Sequence, residues 1–125
     1  MKTLPKPIGD YLEAYNRKDV AGMLACLSDE VVFQNISNGL VDSTTNGKKA
    51  FAELATAGVQ AFESREQTAA HSITVADVTL LEIDYVAVVA QDIPNRWRAG
   101  QKLQFSGASM FRVSNNLIAS ITDES

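Results

Sequence analysis

The chain has 125 residues, of which 46% are hydrophobic and 21% charged, and eleven basic against fifteen acidic residues give a net charge of -4. This length and composition predict one globular domain, residues 1–125, that buries roughly two thirds of the surface exposed by its unfolded chain. The acidic balance, with both signs interspersed, argues against a nucleic-acid partner and against a membrane partner. Because the N-terminal stretch MKTLPKPIGDYL lacks the apolar core of a signal peptide, we expect a cytoplasmic protein.

The chain has one cysteine, Cys26, and one histidine, His71. An intrachain disulfide is therefore impossible, and these two residues cannot form a zinc site of the usual Cys/His kind. We expect neither a metal nor another cofactor. Cys26 lies among Met23, Leu24 and Leu27, a setting typical of a buried, inert thiol.

Three amphipathic segments in the first half predict three helices. In the first, apolar residues recur with helical spacing, which directs two tyrosines inward: Ile8, Tyr11, Leu12 and Tyr15. Asp19 is placed to cap a second, shorter helix with the same spacing. A third helix follows Asn46, its expected N-cap, with Phe51 and Phe62 on its apolar side.

The other segments predict strands and turns. A strand over 31–36 carries Phe33 and Asn35 on one face, and the turn-forming residues of 37–47 predict a loop. After the third helix the pattern alternates, which predicts strands over 65–78, 80–91, 103–112 and 117–122, the last two joined by a turn at Asn115-Asn116. The predicted inner faces consist of Gln67, Ala69, His71, Ile73, Val75, Leu81, Ile83, Tyr85, Ala87, Val89, Leu103, Phe105, Gly107, Ser109 and Phe111. Helices followed by antiparallel strands are typical of an α+β fold.

Three stretches carry a family resemblance: Y11-L-E-A-Y-N-R-K-D19, then V20-A-G-M-L-A-C-L-S-D-E-V-V-F33, and finally I118-A-S-I-T-D123. With this order of elements, essentially the whole chain resembles the nuclear-transport-factor-two-like superfamily, in particular its SnoaL-like members. The resemblance implies a cystatin-like α+β roll, in which a cone-shaped, curved, mixed sheet wraps around a long helix and encloses an apolar pocket. It also implies a homodimer joined through the outer sheet face, where Val86, Val88, Ala108 and Met110 would fit.

Within this superfamily, the ketosteroid isomerases are the enzymes whose catalytic residues serve best for comparison. The resemblance places Tyr11 at their oxyanion-binding tyrosine, Asn35 at their aspartate base and Ser109 at their second, carboxylic donor. A carboxamide does not change protonation near neutral pH, so Asn35 can form hydrogen bonds but cannot act as the base. The steroid isomerase mechanism is therefore not expected, although its pocket is.

Each candidate site residue has a functional and a structural interpretation. Tyr11 either points its hydroxyl at a ligand or packs the first helix, and Asn35 either binds a ligand or caps a strand end. Ser109 either donates to a ligand or makes room in the sheet. Histidine is the side chain that ordinarily changes protonation near neutral pH. His71 is therefore either a functional acid or base or a partly buried structural residue, with Tyr85 as a partner or as core filling.

Two further features lie late in the chain. Trp97, between two arginines in the connection 92–100, either closes the pocket mouth or pins the loop to the body. The resemblance implies that Asp123 lies near the place where SnoaL-like cyclases carry an aspartate for proton transfer, which makes it a candidate base. The alternative is a solvated acidic residue at the chain end. The complete set of predicted ligand contacts is Tyr11, Tyr15, Phe33, Asn35, Phe51, Phe62, Tyr85, Trp97, Phe105 and Ser109.

Three kinds of function fit these residues. The favoured one is a pocket that binds a small hydrophobic, carbonyl-bearing molecule without turnover. It is favoured over an enzyme because the sequence places no buried carboxylate, and over an interaction module because a few polar groups on an apolar lining are typical of such sites. The alternative is an isomerase, cyclase or dehydratase type of enzyme, without a cofactor, that uses His71 or Asp123 for proton transfer with Tyr11 and Asn35 as polarising groups. An interaction module with an incidental cavity is the third. An epoxide-hydrolase-like site is disfavoured because Arg112 is expected to point outward.

Overall fold

The computed structural model describes residues 4–125, so residues 1–3 of the predicted domain lie outside the described part. The helices are α1 (Lys6–Asn16), α2 (Val20–Ala25) and α3 (Lys48–Ala61), and the strands are β1 (Leu27–Ser37), β2 (Leu40–Asn46), β3 (Phe62–Val75), β4 (Val78–Val89), β5 (Lys102–Ser114) and β6 (Leu117–Glu124). One curved sheet has the order β2-β1-β6-β5-β4-β3. Its neighbouring strands are antiparallel except β1 and β6, which are parallel. The predicted α+β fold with a mixed, curved sheet is confirmed.

Side-chain hydrogen bonds fix the N-terminal helices. The Asp19 side chain accepts from the backbone N–H of Gly22 at 3.0 Å, which confirms the predicted cap of α2. Asn16, the last residue of α1, joins the helix to β3 because its amide exchanges two hydrogen bonds with the backbone of Gln67, at 2.8 and 3.1 Å. The C-terminal end of α1 is therefore held against β3. Among residues 4–125, no helix has the length and apolar character needed to span a membrane.

Two predictions for the segment between β1 and α3 are wrong. Most of the turn-rich segment 37–47 is strand β2, and the turn is confined to Asn38 and Gly39, whose φ angles are 52° and 79°. Pairing with the edge of β1 overrides the local preference for a loop. Asn46 is the last residue of β2 rather than a helix cap. The N-cap of α3 is Gly47, whose φ of 91° lies in the region that favours glycine.

The alternation predicted for β4 and β5 is confirmed where the sheet covers the core. The largest fully buried apolar side chains are Phe111, Ile8, Met23, Leu27, Leu81, Ile118, Ile121, Val31 and Val89. They come from α1, α2 and the central strands, so the core lies between the N-terminal helices and the concave face of the sheet. Asn115 and Asn116 form the predicted hairpin turn, with φ angles of 53° and 62° that this tight turn requires.

A β-bulge in β3 reverses the faces of the strand. Ala69 pairs with Ile83, but His71 pairs with Glu82, so Ala70 is an extra residue without its own partner on β4. Beyond the bulge, the predicted inner residues His71, Ile73 and Val75 point outward. The His71 side chain is 84% exposed and its Nδ1 lies 2.5 Å from Glu82 Oε1. The prediction of an inward-facing His71 is therefore wrong, because strict alternation does not anticipate an inserted residue.

The two phenylalanines of β5 allow a matched test of this packing. Phe111 is 1% exposed and Phe105 is 43% exposed. We predict that Phe111→Ala lowers the free energy of unfolding by about 3–5 kcal/mol, because it leaves a cavity in the core. Phe105→Ala, the same change on the same face, costs well under half as much. Urea unfolding of both variants measures the difference, and equal losses would contradict this account of the core.

Candidate functional site

The concave face opens into a cavity of about 420 Å³, a size suited to a small organic molecule. Its wall combines the end of α1, the strands β1, β3, β4, β5 and β6, and the connection between β4 and β5. The lining residues are Tyr15, Asn35, Ser37, Phe62, Gln67, Ile83, Tyr85, Arg96, Trp97, Leu103, Phe105, Ser106, Gly107, Ala108, Ser109, Asp123, Glu124 and Ser125. Polar groups lie mainly on β1, β5 and β6, and aromatic rings lie mainly toward α1, β3 and β4.

A row of three polar residues crosses the sheet at one end of the cavity. Asn35 on β1 pairs with Asp123 on β6, and Asp123 pairs with Ser109 on β5. The Ser109 hydroxyl donates to Asp123 Oδ1 at 2.6 Å. Burial raises the pKa of Asp123 from 3.8 to about 6, although the Ser109 hydrogen bond acts in the opposite direction. The row therefore contains a carboxyl group that can change protonation close to neutral pH.

The Asn35 amide is held by residues of the β1–β2 hairpin. Its Nδ2 donates to Asp42 Oδ1 at 2.9 Å and to Ser37 Oγ at 3.3 Å. The Ser37 hydroxyl donates to the other Asp42 oxygen, also at 2.9 Å. These hydrogen bonds, that from Asn35 first, lower the pKa of Asp42. Asn35 therefore lies in the cavity wall with its amide nitrogen turned toward a carboxylate of the hairpin.

The other end of the cavity has a pair of tyrosine hydroxyls. Tyr15 Oη and Tyr85 Oη lie 2.9 Å apart, and burial raises the pKa of both phenols. Both are therefore protonated near neutral pH. Only one hydrogen is used between the two oxygens, which leaves the other free to donate. Three aromatic rings complete this end: Phe62 and Phe105 pack against Tyr85, and Trp97 packs against Phe62 at 5.7 Å between ring centres.

A buried arginine supports the tyrosine pair from behind. Arg65 on β3 is only 6% exposed, and its guanidinium carbon lies 3.7 Å from the centre of the Tyr15 ring. Its Nε donates to the Tyr15 carbonyl at 2.9 Å, near the C-terminal end of α1, where the helix dipole favours a cation. The positive charge opposes the rise in the pKa of Tyr15 and of Tyr85.

The structure divides the residues proposed from the sequence into three groups. Those in the cavity wall are Tyr15, Asn35, Phe62, Tyr85, Trp97, Phe105, Ser109 and Asp123. Tyr11, Phe33 and Phe51 lie in the core beside the cavity, where the Tyr11 ring contacts Phe51 and Phe111. These three do not line the cavity as expected, because Phe51 projects from α3 and packs against both Tyr11 and Phe33. Burial, and secondarily the Asp123 charge, raises the pKa of Tyr11.

His71 forms the third group, Arg112 lies elsewhere, and two further residues were missed. His71 lies on the outer face, so it cannot contact a ligand in this cavity. Arg112 is exposed and binds Asp77 at 2.9 Å, which agrees with its predicted outward direction. Sequence reasoning missed Arg65 and Gln67 as site residues. Alternation along the strand could have identified both residues. Arg65, Gln67 and Ala69 are each two residues apart, so they share the inner face of β3 before the bulge.

The comparisons with known proteins agree with this architecture. The family model of the SnoaL-like domain matches residues 8–121. The chain belongs to the SnoaL-like domain family. No curated protein sequence matches the chain.

Solved structures similar to this SnoaL-like domain show the same fold at low sequence identity. A proposed polyketide cyclase from Silicibacter has 23% identity and a TM-score of 0.79, over 94% of this chain and 85% of that one. An LEH-like epoxide hydrolase from M. tuberculosis has 19% identity and a TM-score of 0.76, over 96% and 80%. A Catenulispora acidiphila protein with a ketosteroid isomerase-like fold, solved with trimethylamine, has 13% identity and a TM-score of 0.78, over 97% and 85%. At these identities the similarity establishes the fold alone.

The raised pKa of Asp123 predicts a specific pH dependence of stability. A carboxyl whose pKa is higher in the folded than in the unfolded protein stabilises the fold in its protonated form. This contribution is complete below the pKa of the unfolded chain, and it is lost as the pH rises through the pKa of the folded protein. The difference between 3.8 and about 6 corresponds to about 3 kcal/mol. Between about pH 4 and about pH 7, the free energy of unfolding of the wild type should therefore fall by about that amount relative to Asp123→Asn.

Urea unfolding at several pH values measures this difference. Ser109→Ala serves as the companion variant: loss of the hydroxyl donor raises the pKa of Asp123 further, which steepens the pH dependence. Parallel pH profiles for the wild type and Asp123→Asn would show that Asp123 has an ordinary pKa in the folded protein.

Proposed function

We propose that the cavity binds a small, mostly apolar, carbonyl-bearing molecule and that Asp123 exchanges a proton with a carbon next to the carbonyl group. The observation that supports this function is the Asp123 carboxyl in the cavity wall, hydrogen-bonded by Ser109 at 2.6 Å and with its pKa raised to about 6. A general base works best when its pKa lies near the operating pH. The sequence alone did not locate a buried carboxylate, and for that reason favoured binding without turnover.

The tyrosine pair supplies the complementary group for such a reaction. As Asp123 takes the proton, the electrons of the broken C–H bond form a carbon–carbon double bond and the carbonyl oxygen becomes negative. The free hydroxyl hydrogen of the Tyr15–Tyr85 pair can donate to that oxygen. The Arg65 cation behind the Tyr15 ring stabilises the negative charge further. Return of the proton to a different carbon would complete an isomerisation.

An exchange experiment tests this proposal without knowledge of the natural substrate. In deuterated water, the wild type should incorporate deuterium next to the carbonyl of 2-tetralone, an activated bicyclic ketone. Asp123→Asn should lower the exchange rate by about 10²-fold or more, because it removes the base. The rate should rise with pH through about 6, since only the ionised carboxylate accepts a proton. Proton NMR of the ketone measures the rate.

His71→Gln is the matched control, because it removes the chain's only histidine at a position outside the cavity. Its exchange rate should equal that of the wild type. If the ketone binds but exchanges no faster than in buffer, Asp123 is not a base and the cavity binds its ligand without turnover. Loss of exchange in His71→Gln would instead reject the assignment of the proton transfer to Asp123.

We propose as well that two copies pair through the outer sheet face. Val86, Ala108 and Met110 are exposed on adjacent strands of this face, and the outward residues beyond the bulge add Ile73 and Val75. Such adjacent apolar side chains favour an interface. Met110→Lys should shift a dimer toward monomer in sedimentation velocity, whereas Ala57→Lys, on the exposed side of α3, should not. A wild type that sediments as a monomer at high concentration would contradict the pairing.

A further inference from the structure

The chemistry of its neighbours determines how the Asn35 amide is oriented. An ionised carboxylate only accepts hydrogen bonds, so the group that Asn35 presents to Asp42 at 2.9 Å must be its NH₂. Ser37 directs its own hydrogen to Asp42 and accepts from the Asn35 amide nitrogen at 3.3 Å. Rotation of the amide by half a turn would place its oxygen against the Asp42 carboxylate. The three side chains therefore hold one amide orientation.

This orientation determines what the wall can offer a ligand. The amide nitrogen of Asn35 donates to two acceptors of the hairpin, at 2.9 and 3.3 Å, so the group that this orientation leaves for a ligand is the Oδ1 acceptor. Ser109 has given its hydrogen to Asp123, and an ionised Asp123 has only acceptors. The three side chains of the polar row therefore present acceptors to a ligand, although, besides the hydrogen bonds from Asn35 and Ser37, Arg96 in the same cavity wall lies close enough to Asp42 to lower its pKa. The Tyr15–Tyr85 pair, which keeps one free hydroxyl hydrogen, is a donor end.

We propose that Asn35 is a specificity-determining residue that selects ligands with a hydroxyl or amino donor on the part that lies against β1 and β6. The carbonyl group of the same ligand lies toward the tyrosine pair. This inference rests on the proposed function, because it narrows the ligand from a carbonyl compound to a carbonyl compound with a hydrogen-bond donor. A ligand without the donor would leave the Asn35 oxygen buried and unpaired, and such a loss weakens binding more than an equivalent apolar mismatch.

Binding of matched aromatic ketones tests the inference. The probes are acetophenone, its 3- and 4-hydroxy derivatives and the corresponding amino derivatives, titrated against the full chain by NMR. In the wild type, at least one derivative with a donor should bind about fivefold more tightly than acetophenone. In Asn35→Leu, which keeps a similar shape without the acceptor, that ratio should fall to about one. A preference for the hydroxy over the amino derivatives, or the reverse, identifies the donor.

Two further variants separate selectivity from folding. Gln34→Leu makes the same kind of change one residue earlier on β1, outside the cavity lining, and should keep the wild-type ratio. Asp42→Asn retains Asn35 but frees its amide to turn, so the ratio should fall only partly. The side-chain amide protons of Asn35 should also keep their chemical shifts when a probe binds, since they remain bonded to the hairpin.

The outcomes distinguish this inference from the proposed function. If acetophenone binds and exchanges but no derivative is preferred, or if Asn35→Leu keeps the preference, Asn35 does not select the ligand and the proton-transfer proposal stands. If none of the probes binds a folded wild type, the carbonyl ligand class is wrong and both proposals fail. A large shift of the Asn35 amide protons on binding would show that the amide donates to the ligand, which overturns the inference.

Discussion

The parallel pairing of β1 with β6 is the interaction on which the rest of the structure depends. It joins the first strand of the sheet to the last, whereas a hairpin joins only strands that are consecutive in the chain. Phe33 lies beside Ile121 in the core, and one step further along Asn35 lies beside Asp123 in the cavity wall. The same backbone ladder therefore closes the core and assembles the polar row. Because Asn35 and Asp123 come from opposite ends of the chain, the polar row forms only when β1 has paired with β6, a contact of high sequence separation.

The sequence predicts the elements well where each residue's environment is set by its own strand. In β4, alternation correctly places Leu81, Ile83 and Tyr85 inside, because that central strand is regular and is flanked on both sides. The errors arise where a partner strand decides the outcome. Segment 37–47 has the composition of a loop, yet it pairs with β1, and His71 turns outward because of one extra residue opposite β4. Neither the edge pairing nor the bulge has a signature in local composition.

The site itself was predicted in part. Family resemblance and alternation led to Asn35, Ser109 and Asp123 as separate candidates, but the register of three non-consecutive strands was needed to place them in one row. Arg65 was overlooked because a charged residue does not contribute to an apolar pattern. Its burial is possible because the Tyr15 carbonyl, the Tyr15 ring and the Met23 sulfur surround the guanidinium in place of water.

The bulge at Ala70 divides β3 into two parts, and the odd-numbered residues of the two parts face opposite sides of the sheet. On the side that follows α3, Arg65 and Gln67 face the interior and are constrained by what the cavity must contain. On the side that leads to β4, Ile73 and Val75 face away from the interior and are exposed on the outer surface. One inserted residue thus gives β3 two roles: its first half supplies groups to the interior, and its second half adds apolar side chains to the outer sheet face.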